Sequence, residues 1–237
     1  PESFHRFHKL SLHLCSEPGS VPGAGGMAVE KKAGKLDNLV ATVESAGLEN
    51  YPATTGIGHT RWATHGRPTD INAHPHVDQL GKIAVVHNGI IENFAPLRAE
   101  LEAQGVEFTS ETDTETVTHL LHAEYYGEGP NAGNFTASVM AVINRLEGAF
   151  TLVIAHADHP DMLMACRRST PLVIGVGEHQ MFLGSDVAAF IEHTREAVEL
   201  GQDNVVTITA DGYTITDFEG NPVEGRPFTI DWDLEAA

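Results

Sequence analysis

Cysteine, positive charge and long apolar runs are all scarce in this sequence. Its 237 residues hold two cysteines, Cys15 and Cys166, and neither lies in a Cys-x-x-Cys pair. That spacing excludes a zinc ribbon and argues against a disulfide framework, and a reducing, cytoplasmic setting is expected. Lys and Arg number 14 against 33 Asp and Glu, a formal charge of −19. So acidic a surface repels phosphate, so neither nucleic acid nor an anionic membrane is expected as a partner. No apolar run approaches the roughly 18 residues that span a bilayer. The first residues are basic and His-rich, but no apolar segment follows them, so no secretory leader is expected. The length allows one large domain or two small ones, because single cores stop growing near ~250 residues.

Patterning divides the chain in two. Residues 1–26 include Ser16-Glu17-Pro18-Gly19-Ser20 and a Gly-rich end, with no period of two or 3.6, and are read as an unpatterned segment. Regular patterning begins near Met27 and continues to 237. Ile83-Ala84-Val85-Val86 reads as a fully buried strand, and Asn88-Gly89 as a turn after it. Helices are predicted over Glu92 to Gln104, Thr114 to Tyr126 with Thr112 or Asp113 as cap, and Phe135 to Leu146. Three short strands follow, in AFTLVIAHA, PLVIGVG and MFLGSD, then a hairpin turning at Asp211-Gly212. The alternation of helices with antiparallel-looking strands predicts an α+β fold of stacked sheet and helix layers.

Four stretches carry the chemistry. His59-Thr60-Arg61-Trp62-Ala63-Thr64-His65-Gly66 packs polar donors around one large ring, the composition of a loop that holds a small polar ligand. Asn72-Ala73-His74-Pro75-His76, then Val85 to Asn93 (VVHNGIIEN), then Ser110 to Glu115 (SETDTE) follow in order. Arg61 offers a bidentate fork for a carboxylate; taken alone, a surface ion pair explains it equally well. Asp113 offers a charge for an ammonium, or a plain helix cap. Fourteen histidines invite a metal, but no His-Glu-x-x-His motif occurs, and no metal or other cofactor is expected.

In this order and spacing the four motifs resemble the glutaminase domains of the glucosamine-6-phosphate synthase family, the glutamine–fructose-6-phosphate aminotransferases, over about residues 27–237. The resemblance implies a four-layer αββα sandwich of the N-terminal nucleophile hydrolase type, here lacking its first strand and helix. It implies a glutamine amidotransferase type 2 domain that cleaves L-glutamine to glutamate and ammonia for amino sugar synthesis. The family passes that ammonia to a fructose-6-phosphate isomerase domain, which these residues do not include. Arg61, Thr64 and His65 match the family's α-carboxylate ligands, Trp62 its lid, and Asp113 its α-ammonium ligand. Asn88 and Gly89 match its oxyanion hole, and His74 and His76 lie behind the site.

The same resemblance exposes a gap. The family's nucleophile is a cysteine at the mature N-terminus, in a Cys-Gly-Ile-Val-Gly opening, whose own α-amino group is the base. No such run occurs here. Cys15 is followed by Ser-Glu-Pro and has its nitrogen in a peptide bond, so it is a poor substitute; Cys166 reads as a buried structural residue. The expectation is therefore an inactive or incomplete glutaminase. It leaves open a shifted gene reading upstream of Met27, a fragment, and a protein that binds glutamine without cleaving it.

Overall fold

The computed structural model describes the backbone of residues 12–15 and residues 27–48, 53–60 and 67–231 in full. Among these residues the strands form three antiparallel sheets. The largest runs β12-β11-β7-β6-β5-β4, with β4 His76–Val77, β5 Ile83–Ile91, β6 Gly148–His156, β7 Leu163–Arg168, β11 Asn204–Thr209 and β12 Gly212–Asp217. A four-stranded sheet has the order β13-β10-β8-β9, from β8 Val173–Gly177, β9 Gln180–Gly184, β10 Glu196–Glu199 and β13 Arg226–Thr229. A small sheet places β1 Leu12–Cys15 between β2 Met27–Ala28 and β3 Ala53–Ile57. The segment 1–26 thus contributes a strand that its irregular composition did not announce.

Layering follows from which face each strand residue covers. Ile83 and Val85 of β5 pack with Phe150, Leu152 and Cys166 against helices α2 Phe94–Ala103, α3 Asp113–Tyr126 and α4 Phe135–Ile143. Ala84 and Val86, on the opposite face, meet Ile174 and Val198 of the four-stranded sheet. Strands buried on both faces read as continuous apolar runs, which is why Ile83 to Val86 carries no alternation. The far face of the four-stranded sheet is covered by a third cluster around Phe190, Ile191 and Ile230. A short helix α1, Leu36–Ser45, buries only Leu39.

The predicted turn at Asn88-Gly89 is corrected. β5 pairs with β6 without a break from Ile83↔His156 to Ile91↔Gly148, so both residues lie inside the strand. Gly89 adopts φ +119° there, and a Cβ at that position would run into the carbonyl of Ala149. The Asn-Gly signal comes from a glycine required within a strand rather than at a turn. The chain leaves β5 through α2, α3 and α4 before returning as β6. The hairpin near Asp211 is confirmed, with Thr209 opposite Gly212 so that Ala210 and Asp211 form its tip.

Candidate active site

The end of β5 and the start of α3 build the site. Asn88 is exposed and Gly89 half-buried, whereas the residues before them are buried. Asp113 opens α3; its Oδ2 accepts from the Ile91 backbone N–H at 2.9 Å. One carboxylate therefore ties the end of the sheet to the start of the helix. An anion in a helix's first turn also meets the positive end of its dipole. Asp113 is 3 % exposed, and its Oδ1 lies 3.8 Å from His87 Nδ1. The cap position itself belongs to Thr112, whose side chain makes no capping bond.

The spacing of Val117, Leu120, Leu121 and Tyr125 predicts one apolar stripe on α3, yet every residue from Asp113 to Leu121 is buried, polar ones included. A network holds most of their polar atoms, while Thr116 Oγ1 and both His119 ring nitrogens have no hydrogen-bond partner among the described residues. Thr114 Oγ1 sits 3.0 Å from His74 Nε2 and 3.0 Å from His87 Nδ1. His74 Nδ1 lies 3.0 Å from His59 Nδ1, and His59 Nε2 lies 2.6 Å from Asn88 Oδ1. His76 Nε2 meets Thr112 Oγ1 at 2.9 Å, and Thr112 meets Ser110 Oγ at 3.0 Å. Glu115 anchors the base. Burial alone would raise its pKa, but hydrogen bonds from Ser110 and Thr109, with the His119 ring 3.6 Å away, outweigh burial and hold the carboxyl far below the usual carboxylate range.

Of the residues singled out in the sequence, Asn88, Gly89, Asp113, His74 and His76 come together here. Arg61, Trp62, Thr64 and His65 lie outside the described residues. Both flanks of that stretch are fixed: His59 by Asn88 and His74, and Arg67 by Asn72 and Glu111. Asn72 donates to the Arg67 carbonyl at 2.9 Å and to Glu111 Oε2 at 3.1 Å, and Glu111 N–H donates back to Asn72 Oδ1 at 3.0 Å. Sequence reasoning did not single out His59, His87 or Thr114. All three stand inside the quoted motifs as neighbours, and nothing in a linear pattern shows that one threonine hydroxyl bridges two histidines. Among the described residues no group of His, Cys, Asp and Glu is arranged to hold a metal ion.

The two cysteines stand apart from this site. Cys166 is fully buried in β7, and burial pushes its thiol up to about 12, so it supplies no thiolate. Cys15 pairs with Ala53 at the start of β3, whereas His59 lies beyond the strand's other end, where Ile57 pairs with Leu12. The strand alone separates them by roughly 13 Å at ~3.3 Å per residue. Among the described residues no helix is long and apolar enough to cross a membrane.

Comparison with known proteins agrees with this architecture. The glutamine aminotransferase-like relatives include the glutamine–fructose-6-phosphate aminotransferase (isomerizing) of Mycolicibacterium smegmatis, 63 % identical over 92 % of this chain and 36 % of that protein. The enzyme of the same name from Streptomyces coelicolor is 58 % identical over 90 % of this chain and 34 % of its own. The chain thus spans about a third of the length of these curated relatives. Among solved structures, the glutamine phosphoribosylpyrophosphate amidotransferase from B. subtilis superposes with a TM-score of 0.68 at 21 % identity, over 90 % of this chain and 43 % of that one. A glutamine aminotransferase class-II domain protein from Silicibacter pomeroyi gives 0.55 at 18 % identity, over 88 % and 90 %. These likenesses concern the fold, which is the α+β sandwich of the N-terminal nucleophile hydrolases. The family model of the glutamine amidotransferase domain matches residues 59–192, more than half of the 237, and the chain belongs to that family.

Proposed function

We propose that this chain is the glutaminase part of a glutamine–fructose-6-phosphate aminotransferase, releasing ammonia from L-glutamine for glucosamine 6-phosphate synthesis in the cytoplasm. The observation that carries the reading is the pairing of Asn88 and Gly89, at the open end of β5, with Asp113, which is bonded to Ile91 of the same strand. A zwitterion with an amide tail needs an anion for its ammonium, and donors where the tetrahedral oxyanion forms. Asp113 supplies the first and the Asn88 amide with the Gly89 backbone the second. Arg61, Thr64 and His65 are assigned to the α-carboxylate and Trp62 to the lid. The partner that consumes the ammonia is a fructose-6-phosphate isomerase domain, and no metal or cofactor takes part.

A second reading, glutamine binding without hydrolysis, is favoured by the cysteines: Cys166 is buried with a raised pKa and Cys15 pairs at the end of β3 away from His59. Glutamate release from L-glutamine by the 237-residue chain, beside a Cys15→Ala variant and calorimetric titration with glutamine, separates the two. Binding without release supports the binding reading for these residues. Release that persists in Cys15→Ala places the nucleophile on another group, and release lost in it makes Cys15 the nucleophile. Neither release nor binding overturns both readings.

A further inference from the structure

The hydrogen bonds behind Asn88 run through three histidines and one threonine, and each link restricts the next. Asp113 fixes the direction. Its carboxylate faces His87 Nδ1 at 3.8 Å, which favours a proton on that nitrogen. His87 Nδ1–H then donates to Thr114 Oγ1 at 3.0 Å. The hydroxyl, having accepted, has its own proton to place. His74 Nε2 at 3.0 Å is a better acceptor position than Asp113 Oδ1 at 3.4 Å. A neutral His74 that accepts at Nε2 carries its proton on Nδ1 and donates to His59 Nδ1 at 3.0 Å. His59 is left with its proton on Nε2, which donates to Asn88 Oδ1 at 2.6 Å. With a neutral imidazole at each of the three positions the chain closes and every link points the same way.

We propose that His59 is a positioning residue: the one-way chain from Asp113 through His87, Thr114 and His74 makes it hold the Asn88 carbonyl inward, so that the amide NH2 is presented to the reacting carbonyl. An asparagine amide is nearly symmetric in shape, and its reversed orientation would put an acceptor where an oxyanion needs a donor. The catalytic consequence rests on the glutaminase reading; the orientation itself does not. The same carboxylate assigned to the substrate's ammonium also sets the polarity of the oxyanion donor, so one charge organises both ends of the site.

Two measurements test this on the full chain. Nitrogen NMR of 15N-labelled protein reads imidazole tautomers directly. The expected pattern is a proton on Nε2 of His59 and on Nδ1 of both His74 and His87. A proton on Nδ1 of His59, or an imidazolium at any of the three, overturns the proposal whether or not the chain hydrolyses glutamine. Where glutaminase activity is present, His59→Ala lowers kcat about ten- to a hundredfold with little change in KM, a partial loss of one oxyanion donor. His59→Gln, which keeps a donor at the same reach, recovers most of it. His59→Ala placed on Asn88→Ala adds no further loss; losses that multiply would show that His59 acts elsewhere. A chain that neither hydrolyses nor binds glutamine sinks the glutaminase reading while the tautomer pattern still decides the orientation.

Discussion

α3 runs between two histidine clusters of similar composition and opposite construction. At its N-terminus, His59, His74 and His87 meet Thr114 and end on the exposed amide of Asn88. At its C-terminus, His122, His156 and His159 meet Tyr125, Tyr126, Asp78 and Asp158. The second cluster spends most of its polar atoms on internal partners, with Asp158 at its exposed rim. Asp78 accepts from the Lys82 and Ile83 backbone N–H groups at 2.7 and 2.9 Å and meets His122 Nδ1 at 2.7 Å. His156 is fully buried, accepts the Asp158 N–H at Nδ1, and lies against the Tyr125 and Phe135 rings. Histidine content does not separate a site from a structural cap; what separates them is whether the hydrogen-bond chain ends on an open group.

The largest effect should fall at the open end. Asn88→Ala is expected to lower glutamine turnover by about 10²–10³, the usual cost of one lost oxyanion donor. Thermal stability should barely change, because the side chain is exposed. Steady-state kinetics beside a melting curve checks both. A large drop in Tm with an unchanged rate would make this end structural as well, and the contrast would break. At the closed end the expectation inverts. Asp78→Ala strands the Lys82 and Ile83 backbone donors and His122 Nδ1, and each buried group left without its partner costs about 1–3 kcal/mol. Urea unfolding should show that loss, while substrate affinity in the folded fraction stays put.

The open end was legible in the sequence and the closed end was not, for a physical reason. Asn88, Gly89, Asp113, His74 and His76 sit in short contiguous motifs because a ligand-holding loop needs several groups within a few residues. His122, Tyr126 and His156 are brought together only by pairing of β5 with β6 and by the packing of α3 on β5. Helices α2, α3 and α4 are predicted to within a few residues and α1 is not predicted at all; on α3 the apolar positions alone do not account for burial, because Thr116, Thr118 and His119 are buried too. Polar burial of that kind depends on partners distant in sequence. The β10 and β13 pairing was missed because four-residue strands carry too little periodicity to be recognised.

Acid sharpens the comparison further. Burial, with His159 nearby, pulls the His156 pKa down to about 4. The unfolded chain takes up a proton near the ordinary value of ~6.5, before the folded chain does. Stability from this group is therefore full above about pH 6.5 and falls as pH drops toward 4, by at most ~3 kcal/mol. Unfolding free energies measured between pH 7 and 4 should show this slope. His156→Gln, which cannot titrate, should lack that part of it. An unchanged slope in the variant would move the acid sensitivity to other groups.

The smallest effect belongs to the ion pair at the rim of the closed cluster. Lys82 Nζ meets both oxygens of Asp158, at 2.9 and 3.0 Å, yet the two side chains are 38 % and 40 % exposed. An exposed pair gains little because water screens it and two long side chains lose freedom to form it, typically 0.2–1 kcal/mol. Lys82→Ala should therefore shift the urea midpoint only slightly, and less still in high salt. The Lys82 backbone N–H to Asp78 survives that substitution, as does the buried pair beneath it. If Lys82→Ala cost as much as Asp78→Ala, the closed cluster would be held by its surface charge, and burial would not be what distinguishes it from the site at the other end of α3.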